Sequence, residues 1–237
     1  MANNYYDATG VLVLDRVTPV ISALFGAFRL DASYPGNGKA YIACLSENDA
    51  PQWSIVLDGL MVLAAHLDLP VPDETEGHDG KEAKVSILVL IDLLASHFGA
   101  DQNQDLANLI EHHVFEGEAD MDALFLLATC FDDGHHLAAI QLEGCWCCSH
   151  PCLFEFGGHG RFISREVTIS SESAQAPALG EELRKAILTR NLAAASTRIA
   201  NETLALLSAI SDDQVRARLR RDVADRLLTD PSTTTAG

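Results

Sequence analysis

The hydrophobic period alternates between strand-like and helical along the chain, and that alternation limits the folds open to it. Gly10 to Asp15 is a short apolar run with strand character. From Thr18 the apolar residues Val20, Ile21, Leu24, Phe25 and Phe28 fall at helical spacing, with Thr18 placed to start the helix. Tyr34-Pro35-Gly36-Asn37-Gly38 is a turn, rich in residues that tolerate positive φ. A second strand, Ala40 to Leu45, follows it. Asp49-Ala50-Pro51 then opens a helix with Trp53, Val56, Leu57, Leu60, Leu63, Ala64 and Leu67 on its apolar side. Three more helices are predicted, over Glu82–Phe98, Gln102–His113 and about Asp120 to Cys130. The acidic, apolar-poor segment from Pro72 to Gly80 between them reads as a mobile loop. Beyond Cys130 the period becomes two. Leu137–Glu143 and Leu153–Phe156 are strands, Gly157-Gly158-His159-Gly160 reads as a turn, and a last strand runs from Phe162 to about Ile169. Strands at both ends of a helical middle predict an α+β fold. One mixed sheet from N-terminal and central strands packs with helices, and the doubly wound alternative is excluded.

The remainder is helical and differs in composition. Leu183, Ile187, Leu192, Ala195, Ile199, Leu206 and Ile210 recur at three- to four-residue steps, with a gap after Ile199 and a break expected at Asn191. Ser211 with Gln214 fits a capping box ahead of a helix carrying Val215, Leu219, Val223 and Leu227. This divides the chain into an acidic α+β domain at 1–176, a helical extension at 177–230 and a disordered tail at 231–237. The apolar stripe of the extension predicts docking, either on the body or in a homodimer through the C-terminal helices. The 237 residues, 48% of them hydrophobic, suffice for a core without disulfides or metal.

Charge is laid out unevenly. The chain has 34 acidic and 16 basic residues, a formal net charge of −18. Residues 1–180 carry −19 and residues 181–237 carry +1. The 76 residues from Val85 to Gly160 contain no Lys or Arg and 12 acidic side chains. Such a chain does not bind nucleic acid directly, because phosphates require a positive surface. One reading of the acidic stretch is a solubilising surface. The other is a face that meets a basic protein, with Glu116, Glu118, Asp120, Asp122, Asp132 and Asp133 as its partner-binding residues. Arg216, Arg218, Arg220 and Arg221 form a local basic cluster, read as a solvated face or as a patch for a second partner or subunit.

Cys145-Trp146-Cys147-Cys148-Ser149-His150-Pro151-Cys152 concentrates four thiols and an imidazole in eight residues. Zinc takes such ligands, and Cys145, Cys148, His150 and Cys152 are the candidate set. A second knuckle is missing, and neighbouring side chains in an extended chain face opposite ways, so the chain is expected to fold without zinc or another cofactor. The same cluster also fits small soft side chains packed at a strand end. A redox CxxC would need a helix N-terminus or a nearby cation, and neither is evident. The pairs His112-His113 and His135-His136 read as surface histidines, and Asp132-Asp133-Gly134 as a turn. Nucleophile-elbow, P-loop and dinucleotide-binding patterns are missing, so a non-enzymatic role is expected. Neither a secretory n-region nor a membrane-length apolar run is evident, which points to a reducing cytoplasm with no membrane partner.

Four stretches carry a resemblance. They are Asn3-Asn4-Tyr5-Tyr6-Asp7-Ala8-Thr9-Gly10, Leu124-Phe125-Leu126-Leu127-Ala128-Thr129-Cys130-Phe131-Asp132-Asp133-Gly134-His135, Leu153-Phe154-Glu155-Phe156-Gly157-Gly158 and Phe162-Ile163-Ser164-Arg165-Glu166-Val167. As a set the chain resembles a protein family carried by integrating conjugative elements and plasmids of proteobacteria. The resemblance implies cargo of a mobile element and brings no catalytic or binding residues with it. Such cargo often protects its element, which suggests an anti-CRISPR-like inhibitor. Its acidic surface would occupy the nucleic-acid-binding site of a basic host protein or ribonucleoprotein complex. The alternatives are a zinc-binding module built on Cys145–Cys152, structural or enzymatic, and an accessory protein of element transfer.

Overall fold

A computed structural model of the chain describes residues 4–45, 51–72, 85–148 and 156–229. The expected mobile loop, most of the strand at 153–156 and the tail at 231–237 fall wholly or partly outside these residues. The fold is α+β. Strand β1 (Asn4–Val13) lies between β3 (Lys39–Cys44) and β4 (Ala139–Cys148), and β2 (Asp31–Pro35) borders β3. With β5 (Phe156–Ser164) and β6 (Thr168–Glu172), the sheet order is β2-β3-β1-β4-β5-β6. The β1–β3, β1–β4, β2–β3 and β5–β6 pairings are antiparallel. The sheet is therefore antiparallel where a mixed one was expected. β2 and β3 form a hairpin, whereas helical segments connect β1 to β2 and β3 to β4.

The chain divides into two compact units, Met1–Gly158 and His159–Gly237. In the first, Ala8, Leu12 and Leu14 of the β1 segment alternate inward with Ala40 and Ile42 of β3. Helices α1 (Pro19–Phe25), α2 (Trp53–His66), α3 (Ile87–Phe98) and α5 (Met121–Cys130) supply the rest of this core, with Trp53, Phe25, Leu60, Leu90, Leu94, Leu124 and Phe131 almost fully buried. Helix α4 (Gln104–His112) buries only Leu106 and leaves its polar face outward. The helix starts follow the chemistry of the caps. Thr18 accepts from the Ile21 N–H, Ser86 from Leu88, Asn103 from Asp105 and Leu106, and Asp120 from Asp122 and Ala123.

Two local expectations fail for identifiable reasons. The segment Gly157-Gly158-His159-Gly160 is not a turn but the middle of β5. A Cβ at Gly157 would fall inside the Trp146 indole, so the glycine lets the ring lie on the strand. The sequence shows no strand at β2, because all five of its residues are exposed and no period-two pattern marks it, and only Tyr34 and Pro35 fall in the expected turn.

In the second unit, β5 and β6 form a hairpin closed by Ser164. Its hydroxyl accepts from the N–H groups of Glu166 (3.2 Å) and Val167 (3.1 Å). Helices α6 (Gln175–Leu188), α7 (Leu192–Ser208) and α8 (Asp213–Thr229) follow. Asn191 caps α7 at the expected break. The cap of α8 is Asp212, which accepts from Gln214 and Val215, and not Ser211. The Ser211 N–H instead donates to Glu166 O (2.9 Å). Together with Thr168 N–H to Ala209 O (3.0 Å), this ties the α7–α8 link to the hairpin.

Candidate functional site

Helices α3, α4 and α5 and the loop after α5 carry ten carboxylates between Asp92 and Asp133 and no Lys or Arg. Asp92, Asp101, Asp105, Glu111, Glu116, Glu118, Asp122 and Asp132 are exposed, while Asp120 and Asp133 are half-buried. Two hollows open on this face. One, of about 320 Å³, lies between α3 and α4. Asp92, Asp101 and Glu111 border it above the side chains of Leu106 and Ile110. The other, of about 510 Å³, is bounded by Asp105, Asn108, Leu109, His112, His113 and Leu126. In the first hollow, apolar side chains beside three carboxylates suit the long stem and charged head of Lys or Arg.

The six acidic residues singled out from the sequence divide by role. Glu116 and Glu118 stand exposed on the α4–α5 connection, which is pinned by the Ala119 N–H to Pro51 O bond (2.8 Å). Asp122 is exposed at the start of α5. The other three also hold structure. Asp120 Oδ1 caps α5. Asp132 Oδ1 accepts from the N–H groups of Gly134 (2.9 Å) and His136 (3.2 Å). Burial would raise the Asp132 carboxyl, but these donors outweigh it and hold the group below its usual range. Asp133 Oδ2 accepts from the Val20 N–H (3.2 Å), capping α1 from 113 residues away. Asp92, Asp101 and Glu111 escape sequence reasoning because they lie nine and ten residues apart, on α3, in the turn after it and on α4. The turn between α3 and α4 brings them to one hollow.

The cysteines do not gather among the described residues. β4 continues through Cys148, so the sequence expectation that it ends near Glu143 is corrected. In an extended chain Cys145 and Cys148, three apart, take opposite faces. Cys145 is exposed, opposite Asp7, and Cys148 is buried, opposite Asn4. His150 and Cys152 lie outside the described residues. Cys44 is half-buried, and burial, with the Glu118 and Asp7 charges, pushes its thiol pKa up, away from nucleophilic chemistry.

The group whose potential metal-ligand atoms do come together is Asp132, Asp133 and His135, within 4.8 Å of one another. His135 is completely buried, which corrects its reading as a surface histidine. Its Nε2–H donates to Ala128 O (3.2 Å), and its Nδ1 accepts from the Leu137 N–H (2.9 Å). Both nitrogens are thus used by a neutral ring, and burial holds its pKa below the ordinary value. A cation here would have to take Nδ1 from the Leu137 amide, so the hydrogen bonding fits a loop latch better than a metal centre. Next to it, His136 has φ 49° and places Nδ1 2.7 Å from Asp15 Oδ2. That carboxylate raises its pKa.

Trp53, His113 and Phe115 form an edge-to-face cluster beneath the acidic connection, with ring centroids 4.6–5.3 Å apart. His113 Nδ1 lies 3.5 Å from Asp120 Oδ2. No described helix is long and apolar enough to cross a membrane. Comparison of the chain with protein-family profiles, with curated proteins and with solved structures finds no match in any of the three.

Proposed function

We propose that this chain is a non-enzymatic interaction protein that binds a basic protein surface through the carboxylate face of α3, α4 and α5. The observation that carries the reading is the hollow between α3 and α4. Asp92, Asp101 and Glu111 border it, and no cationic side chain lines it. A surface serving solubility alone has no need to place carboxylates around an apolar floor. The one-sign field of the unit would speed the encounter, and the hollow between α3 and α4 would receive a Lys or Arg side chain. The resemblance to mobile-element cargo supports the finer reading. In it the partner is a host defence complex whose nucleic-acid site is occupied by this acidic face, in the manner of an anti-CRISPR protein.

The test isolates partners from host cytoplasm with the wild-type chain. It then measures binding of the recovered partner to the wild type and to the combined Asp92→Asn, Glu111→Gln, Glu116→Gln and Glu118→Gln variant. The expected result is an on-rate about 10-fold lower for the variant, a steep loss of affinity with salt, and competition by the partner's own nucleic acid. Equal binding by the variant, or binding indifferent to salt, would remove the proposal.

A further inference from the structure

The second unit offers a surface that the acidic face does not account for. Neither α6 nor α8 buries any residue, and α7 buries only Ala195 and Leu207. Yet Ile187, Leu188, Leu192, Ile199, Leu206 and Leu219 are all large and exposed. On α7 the spacing is regular. Leu192, Ile199 and Leu206 are seven apart, 55–69% exposed, and form one stripe along about 21 Å of helix. Arg198 does not interrupt it, because its guanidinium is held by Glu182 of α6 and Glu202.

We infer that this stripe is a homodimer contact, with α7 of a second copy as its occupant. Three observations select a second copy. Side chains seven apart stay on one helix face over successive pairs of turns, and an isologous contact pairs such a stripe with itself. Residues 175–229 hold nine basic and seven acidic side chains, while unit Met1–Gly158 holds five and 24. Two strongly acidic copies therefore meet at least electrostatic cost through these helices, and a basic partner is drawn to the other unit. A stable interface takes about 800 Å² from each side, a little over half of it apolar. The three side chains of the stripe, at roughly 100 Å² each, supply the larger part of that apolar area.

Ile199 is the middle of the stripe, so in parallel or antiparallel pairing it meets Ile199 of the other copy. Light scattering or sedimentation of the full chain should give twice the 25.5 kDa chain mass at micromolar concentration. Ile199→Glu should weaken the dimer at least about 30-fold, as should Ile199→Lys. An equimolar mixture of the two variants should recover the dimer mass, which a merely misfolded variant would not do. Added salt should leave the wild-type dimer intact or tighten it, by screening repulsion between the acidic units. A wild-type chain of single mass at 100 μM, or a dimer untouched by Ile199→Glu, would overturn the inference. Neither result bears on the acidic face, whose own complex weakens with salt.

Discussion

A methyl group has no room at Gly59. A Cβ there would overlap the backbone carbonyl of Ala23, where α2 crosses α1. Gly59→Ala should therefore cost about 1–3 kcal/mol by overpacking. The same substitution at Gly180 in α6 meets open space and should gain about 0.5–1 kcal/mol, because alanine loses less backbone entropy in a helix. Denaturant midpoints at unchanged m-value would show the two signs, and a shift in the same direction at both positions would contradict the packing argument. Gly157 belongs with Gly59. Its Cβ would overlap Trp146, so Gly157→Ala should displace the indole and change its fluorescence. None of this is legible in the sequence. A run of glycines between apolar residues looks like a turn, and the fact that decides otherwise is a ring on the neighbouring strand, 11 residues away.

At the scale of elements, the loop from Phe131 to Ala138 ties together parts far apart in sequence. The Asp15 N–H donates to His135 O (2.9 Å), the Ala138 N–H to Val13 O (2.8 Å), and Asp133 caps α1. Losing that cap in Asp133→Ala should cost about 1 kcal/mol, read from thermal or denaturant unfolding. The same loop should make stability depend on pH. Burial depresses the His135 pKa below its ordinary 6.5, so the unfolded chain takes up the proton first as pH falls. Stability is full above about pH 6.5 and declines below it. His136 has the opposite sign, since Asp15 raises its pKa and its contribution fades as pH rises. Because His136 is exposed and screened, the buried ring should dominate. Melting temperatures between pH 8 and 5 should fall toward acid for the wild type and fall less for His135→Asn. An unchanged slope in the variant would assign the effect elsewhere. Helix existence, the start at Thr18 and the break at Asn191 were readable, because each is a local choice next to an apolar period. The burial of His135 was not, since its partners Ala128 and Leu137 lie on either side of a turn whose closure is tertiary. The CxxC spacing brings two sulfurs together only if the chain turns, and here Cys145 to Cys148 stays extended along β1.

For the whole molecule, the boundary between compact units is also the boundary of charge. Met1–Gly158 carries −19, and His159–Gly237 carries +1. Like charge on one unit stores repulsion that folding has to overcome, so the acidic face should be a cost to stability as well as a binding surface. Glu111 shows this locally, because a carboxylate in the last turn of α4 meets the negative end of the helix dipole. Asp92 sits exposed on α3, with no Lys or Arg on that helix. Neutralising both, as Asp92→Asn with Glu111→Gln, should raise the melting temperature by a few degrees at low salt, where about 1 kcal/mol moves it by 2–4 °C. The gain should shrink at high salt, because screening relieves the same repulsion in the wild type. The same pair of changes should slow association with a basic partner. Opposite movements of stability and on-rate in one variant would tie the carboxylates to binding, since a purely structural role would move both the same way. A variant that is less stable at low salt, with binding unchanged, would mean that these carboxylates serve the fold and not a partner.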